Sequence, residues 1–255
     1  MRLAVTGVAL AALFAFFGPA QAVVGGSAAD TAVARSLVMV LAEGGIACTG
    51  IVVAPQAVLT AGNCLPRGRQ IRVYAPAAGE GAQSPHLITP TAMSVHPGYV
   101  PNGPGTRQRS IDLALIRLPE GLPSVYGVAD LSAASAPGAG SAVTVAGDGL
   151  GSESDSHSGG VPRATRLSVV EPYGRSTILL WAAAATEEAA GACVGDSGGS
   201  MTGASGAVIA VIAFAEGAGS QHCGKLTQGI LVGPQRSFID ATLGRWGTAA
   251  HWNDQ

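Results

Sequence analysis

Turn chemistry interrupts this chain so often that long helices are excluded from nearly all of it. Glycine occurs 37 times and proline 15 times in 255 residues, and the stretches between them are short and apolar. Strand-like segments are expected at Ser36–Glu43, Ile46–Pro55, Ile71–Pro76, Leu113–Leu118, Ala142–Gly147, Thr165–Pro172, Thr177–Ala182, Ala207–Ala215 and Gly229–Pro234. Only at the end does the period change. Phe238, Ile239, Leu243 and Trp246 recur at helical spacing, which predicts an amphipathic C-terminal helix from about Gln235. Many short strands without alternating helices imply an all-β barrel or sandwich pair. Pro101–Ser110 and Gly147–Gly160 have the composition of exposed loops, and Asp130–Gly140 that of a linker near the middle.

Residues 1–22 are set apart from this fold. Arg2, an apolar run from Leu3 to Phe17, and Ala20-Gln21-Ala22 make the three parts of a secretory signal, with the cut before Val23. The run is shorter than the roughly 20 apolar residues of a spanning helix, so no membrane association is expected after cleavage. Secretion to the cell exterior or the periplasm follows. Four cysteines, Cys48, Cys64, Cys193 and Cys223, then stand in an oxidising compartment, where three disulfide pairings are open. No CxxC or CxxH pair suggests a metal, and no cofactor is expected. Charged residues are 12% of the chain, the net charge is −2, and no basic run exists, which argues against a nucleic-acid partner.

The stretch that speaks most directly of chemistry is Gly195-Asp196-Ser197-Gly198-Gly199. A nucleophilic hydroxyl needs a tight turn that presents it, with backbone N–H groups aimed at the oxyanion formed on attack. Flanking glycines permit that turn. Other segments fall in a telling order: Val23-Val24-Gly25-Gly26, Cys48–Cys64, Val95–Tyr99, Asp112–Leu118, Val145–Gly151 and Cys193–Ser200. In that order the mature chain resembles the chymotrypsin/trypsin family of serine proteases.

The resemblance implies two six-stranded β-barrels, residues 23–131 and 132–255, with the active-site cleft between them and a C-terminal helix. It implies the disulfides Cys48–Cys64 and Cys193–Cys223. Ser197 would be the nucleophile, Asp112 the orienting carboxylate, and the N–H groups of Gly195 and Ser197 the oxyanion hole. Asp196 would receive the α-ammonium group of Val23. Gly191, Ala213, Ala215 and Gly229 would form a specificity pocket for apolar side chains. A monomer that meets peptide or protein ligands is implied.

One position departs from the family. Where a histidine is expected before Cys64, the chain has Asn63. Imidazole takes the serine proton and returns it to the leaving amine because it titrates near neutrality; a carboxamide carries no proton. Loss of the base in an analogous triad costs about 10⁶-fold in turnover. His86, His96, His157 and His251 lie far from Ser197 on the family map, and His222 sits at the pocket rim. Ala213 also lacks the hydroxyl that supports the family's aspartate. The reading that follows is a protease homologue with impaired hydrolysis; the alternative is an active endopeptidase using Ser197 with an unconventional or substrate-supplied base.

Overall fold

The computed structural model describes residues 23–76, 86–103, 108–186 and 189–253. The expected signal segment, residues 1–22, lies outside them, as does part of the loop Pro101–Ser110. No helix among the described residues is long and apolar enough to cross a membrane.

Among the described residues, sixteen strands and two short helices make up two halves, antiparallel except where the strand Leu131–Ser132 pairs with those at Val208–Gly217 and Trp252–Asn253. The first half contains β1 (Ser27–Ala28), α1 (Thr31–Arg35), β2 (Leu37–Ala42), β3 (Ile46–Ala54), β4 (Ala57–Thr60), β5 (Ile71–Ala75), β6 (His86–Ile88), β7 (Ala92–Val95) and β8 (Ala114–Arg117). The second contains β9 (Leu131–Ser132), β10 (Ala142–Gly147), β11 (Arg163–Val170), β12 (Leu179–Ala183), β13 (Ser200–Thr202), β14 (Val208–Gly217), β15 (Gly224–Leu231), α2 (Arg236–Arg245) and β16 (Trp252–Asn253). Strands β13-β10-β11-β12-β15-β14 pair in that order and β13 returns to β14, which closes a six-stranded barrel. The first half runs β6-β5-β2-β3-β4-β8-β7 as a seven-stranded half-barrel whose end strands are only three and four residues long. Residues β1 apart, every strand of that half stays with its own sheet; β1 pairs across with β11.

The strands are apolar on both faces because both faces are buried. Val38 and Val40 of β2, Val52 of β3, Val58 of β4 and Ile116 of β8 fill the first sheet's interior. Their alternate neighbours Leu37, Ile51, Val53, Leu59 and Leu115 point the other way, into a cluster shared with Val208 and Val211 of β14 and with Ile239 and Leu243 of α2. A third cluster, with Val145, Leu167, Leu180, Met201 and Ile212, fills the closed barrel. Each fully buried side chain of this size contributes roughly 1.5–3 kcal/mol. The shared cluster fixes how the halves meet, and therefore the cleft at their seam.

The C-terminal helix begins at Arg236, one residue after the sequence expectation, and buries Ile239, Thr242 and Leu243. Its outer side is tied by Arg236 to Asp240 at 3.3 Å and by the Trp252 indole N–H, which donates to Asp240 at 2.8 Å. Helix α1 is held by its cap: Asp30 accepts from the N–H groups of Ala32 and Val33 at 2.9 and 3.0 Å.

Candidate functional site

Strand β4 ends at Thr60, and the chain turns through a single 3₁₀ turn, Gly62–Cys64. The disulfide Cys48–Cys64 pins that turn to β3, and Cys193–Cys223 pins the Ser197 loop to the start of β15. The turn places Asn63 against Asp112, which enters from the extended segment before β8. The Asn63 backbone N–H donates to Asp112 Oδ1 at 2.7 Å, and its Nδ2 donates to Oδ2 at 2.7 Å. Nδ2 also donates to the Ala213 carbonyl at 3.3 Å. The amide orientation follows from charge: turned over, its oxygen would face a carboxylate. Oδ1 therefore points at the disulfide, 3.4 Å from Cys64 Sγ and 4.0 Å from Cys48 Sγ. Those sulfurs carry no proton, so they donate nothing to it.

Burial pushes the Asp112 carboxyl above the ordinary aspartate value, and the donors from Asn63 and Gly62 oppose that rise. Space at Gly62 is tight. A Cβ there would lie 3.0 Å from Asp112 Oδ1 and 3.0 Å from the Tyr99 ring.

Across the cleft, Gly198 has φ +87°, and a Cβ on it would meet the Thr49 carbonyl at 2.0 Å. Only glycine fits this turn. Thr49 clamps the loop from the other half: its hydroxyl donates to the Gly195 carbonyl at 2.9 Å, and its N–H donates to the Ser197 carbonyl at 2.8 Å. The N–H groups of Gly195 and Ser197 donate to no described residue. The Ser197 hydroxyl, half-buried, likewise makes no hydrogen bond among the described residues.

Asp196 is fully buried beneath this turn. It accepts from the Gly149 N–H and the Cys193 N–H, each at 2.8 Å. Its carboxyl is pushed up to about 7, first by burial, with both N–H groups opposing and Asp148 adding to the rise. Val23 is buried at φ +53°, an unusual backbone angle for a β-branched residue, and makes no hydrogen bond to Asp196 in the uncleaved chain. Val24 pairs with Gly191, whose N–H donates to the Val24 carbonyl at 3.0 Å.

Of the four residues expected around the specificity pocket, Gly191 and Ala215 both neighbour Thr227, Ala213 lies at Asn63, and Gly229 lies elsewhere. Ala215 pairs with Thr227 across β14 and β15. A Cβ on Gly191 would lie 2.9 Å from the Thr227 hydroxyl, which accepts from the Ala192 N–H at 2.9 Å. Ala213 lies two residues before Ala215 on β14 and presents its carbonyl to Asn63. Gly229 instead pairs with Ile212 and packs against Met201 and Ala210 inside the barrel. A register shift lies between Ile212 and Phe214, and beyond it Ala215 faces Thr227 rather than Gly229, which sits two residues further along β15. Thr227 itself was missed; the sequence shows there only a threonine two residues before that glycine, with nothing to mark it as buried.

A cavity of about 860 Å³ opens on the Asn63 side, with Tyr99, Tyr173, Trp181, Phe214 and Glu216 among its walls. Phe214 is 42% exposed, and Tyr173 meets Trp181 edge-on at 5.8 Å. Such a wall suits apolar or aromatic side chains of an extended ligand. Lys225 pairs with Glu216 at 3.1 Å at its rim. His222 lies outside this constellation, with its N–H bonded to Glu153. His96 packs on Phe238 of α2, His157 is exposed beside Asp155, and His251 pairs with Asp130.

The family described as Trypsin matches residues 23–230. Among solved structures, human heparin binding protein is 24% identical with a TM-score of 0.69, covering 89% of this chain and 99% of its own. An atomic-resolution structure of the same protein gives 25% identity and a TM-score of 0.69, covering 87% and 97%. Neuropsin, a serine protease expressed in the limbic system of mouse brain, is 20% identical with a TM-score of 0.69, covering 86% and 99%. A search of curated proteins finds no matching sequence.

Proposed function

The chain belongs to the trypsin family, and from that premise we propose that it is a secreted, monomeric family member that binds peptides or proteins in its cleft and hydrolyses them poorly or not at all. One observation carries the reading. Both N–H groups of the Asn63 amide are committed, to Asp112 and to Ala213, and its oxygen faces the disulfide and makes no bond to the Ser197 hydroxyl. In the family-derived roles, Ser197 is the nucleophile, Asp112 the orienting carboxylate, and Gly195 and Ser197 the oxyanion donors. The hydroxyl then has no group to take its proton. The rate loss expected is about 10⁶-fold, or roughly 8 kcal/mol of transition-state stabilisation.

Binding is supported by what remains. The unpaired N–H groups at Gly195 and Ser197 can receive a ligand carbonyl, and the aromatic wall can receive its side chains. Thr227 against Gly191 favours a small apolar residue at the primary position. A heparin-like polyanion is not carried over from the human neighbour, because 14 Lys and Arg face 16 Asp and Glu with no basic run. Cleavage before Val23 would free its α-ammonium group close to a loop whose buried carboxylate, Asp196, lacks a cation.

A fluorophosphonate probe tests the reading. The expected result is no labelling of Ser197 at neutral pH, together with saturable binding of an extended peptide. Rapid labelling would show an activated nucleophile and overturn it.

A further inference from the structure

A second cavity, about 590 Å³, lies between α1, β2 and the loops after β8 and β10. Leu37, Val38, Met39, Pro76 and Pro162 give it apolar walls, and Arg35 lies among its lining residues. Asp148 lines it too. That carboxylate is 4% exposed, and its Oδ1 is buried with no hydrogen-bond partner among the described residues. Its backbone is fully engaged: the N–H donates to the Thr49 hydroxyl at 2.9 Å, and the carbonyl accepts from the Gly160 N–H at 2.7 Å. The side chain is therefore held in place while its charge is left unanswered. A buried carboxylate in that state is costly unless a cation or a proton meets it.

We propose that this cavity is a second ligand site, taking a small organic ammonium with an apolar body, whose head pairs with Asp148. The volume lies within the usual range for a small-molecule site, and apolar walls around one fixed polar group are its usual chemistry. A charge-assisted bond to the carboxylate supplies the selectivity over neutral molecules. The site is separate from the peptide cleft: Asn63, Asp112 and Ser197 do not line it.

The titratable groups around Asp148 are Tyr126, which shares the cavity, Asp196 behind it, and Arg35; β2 contributes none. Burial raises the Asp148 carboxyl to about 7. An ammonium needs the ionised form, so its affinity rises as pH climbs through that value.

The experiment uses the mature chain with cyclohexylmethylamine and its neutral counterpart cyclohexylmethanol, followed by calorimetry. At pH 8 the amine should bind at least about tenfold more tightly than the alcohol, and more weakly at pH 5.5 while still fully protonated itself. Asp148→Asn should abolish the preference. Ala34→Phe, which leaves the carboxylate intact and fills the cavity from α1, should weaken the amine equally and covers the case of a poorly folding Asp148 variant. Glu216→Gln, at the cleft, should change nothing. Equal binding of amine and alcohol, no binding of either, amine preference surviving Asp148→Asn, or loss following Glu216→Gln would each overturn the proposal.

Discussion

Replacing Asn63 by histidine should restore peptide hydrolysis, and the structure sets how much. The backbone bond from residue 63 to Asp112 Oδ1, 2.7 Å, does not depend on the side chain. An imidazole Nδ1–H can take over the 2.7 Å bond that Nδ2 now makes to Oδ2, which fixes the tautomer and leaves the far ring nitrogen free to accept from Ser197. A positioned general base is worth about 10²–10⁴-fold, or roughly 2.7–5.5 kcal/mol at about 1.4 kcal/mol per tenfold. The full 10⁶-fold of an intact triad is not expected. Ala213 offers Asp112 no hydroxyl, and Gly62 lacks the side chain that would stiffen the turn against Tyr99. The assay compares wild type, Asn63→His and Asn63→His with Ser197→Ala on one peptide with alanine at the primary position. Activity of the histidine variant should fall as pH drops through the imidazole range near 6.5, because only neutral imidazole accepts the proton. Equal activity in wild type would mean that another base exists. An inert but well-folded Asn63→His protein would mean that Asp112 and Ser197 are not aligned for transfer.

Further outcomes follow from individual contacts. Ser197→Ala should leave the unfolding free energy in urea within about 0.5 kcal/mol of wild type, since its hydroxyl bonds to no described residue; Asp112→Ala should lower stability by about 1–3 kcal/mol, because it takes the acceptor from two part-buried Asn63 donors. Thr227→Gly should shift binding from small toward larger apolar side chains at the primary position, read from a peptide series; an unchanged order of affinities would show that Thr227 does not limit the pocket. Asp148→Asn should raise stability at pH 8 and change it little at pH 3. The folded carboxyl is raised to about 7 from its ordinary 3.8, so the folded state holds the proton more tightly and wild type loses stability as pH climbs between those values. A urea series across that window decides it.

The fold was legible because its strands are apolar on both faces, as Leu37 against Val38 and Leu115 against Ile116 show, and because only one segment carries a helical period. Details that depend on packing were not. Helix α1 has its Asp30 cap and only Val33 packed on the shared cluster, too little apolar period to read, and none of its residues is fully buried. Ala57–Thr60 and Ala92–Val95 are four-residue strands with no turn signal long enough to isolate them. The half-barrel of the first sheet depends on how short its end strands are, which spacing alone does not reveal. At the site, the motif order brought Asn63, Asp112 and the Ser197 loop together. It set Gly229 at the pocket, whereas Gly229 pairs with Ile212 and packs on Met201 inside the barrel, and it could not foresee Asp148 as an orphaned charge.

Asn63 shows how stability and chemistry separate at one position. Asp112 is a partly buried carboxylate, and without donors it would be costly to fold. Asparagine supplies two of them, one from its backbone and one from its amide, and a third contact to Ala213 locks the arrangement. An apolar residue of similar size would keep the backbone donor and lose the amide, leaving Oδ2 short of a partner. The fold therefore needs a donor at position 63 but has no need of a group that changes protonation. Catalysis alone makes that second demand. This is why a chain with asparagine at position 63 can keep both disulfides, the Thr49 clamp, the Gly198 turn and the N–H groups of the Ser197 loop: each is held by contacts that never involve a titrating group there.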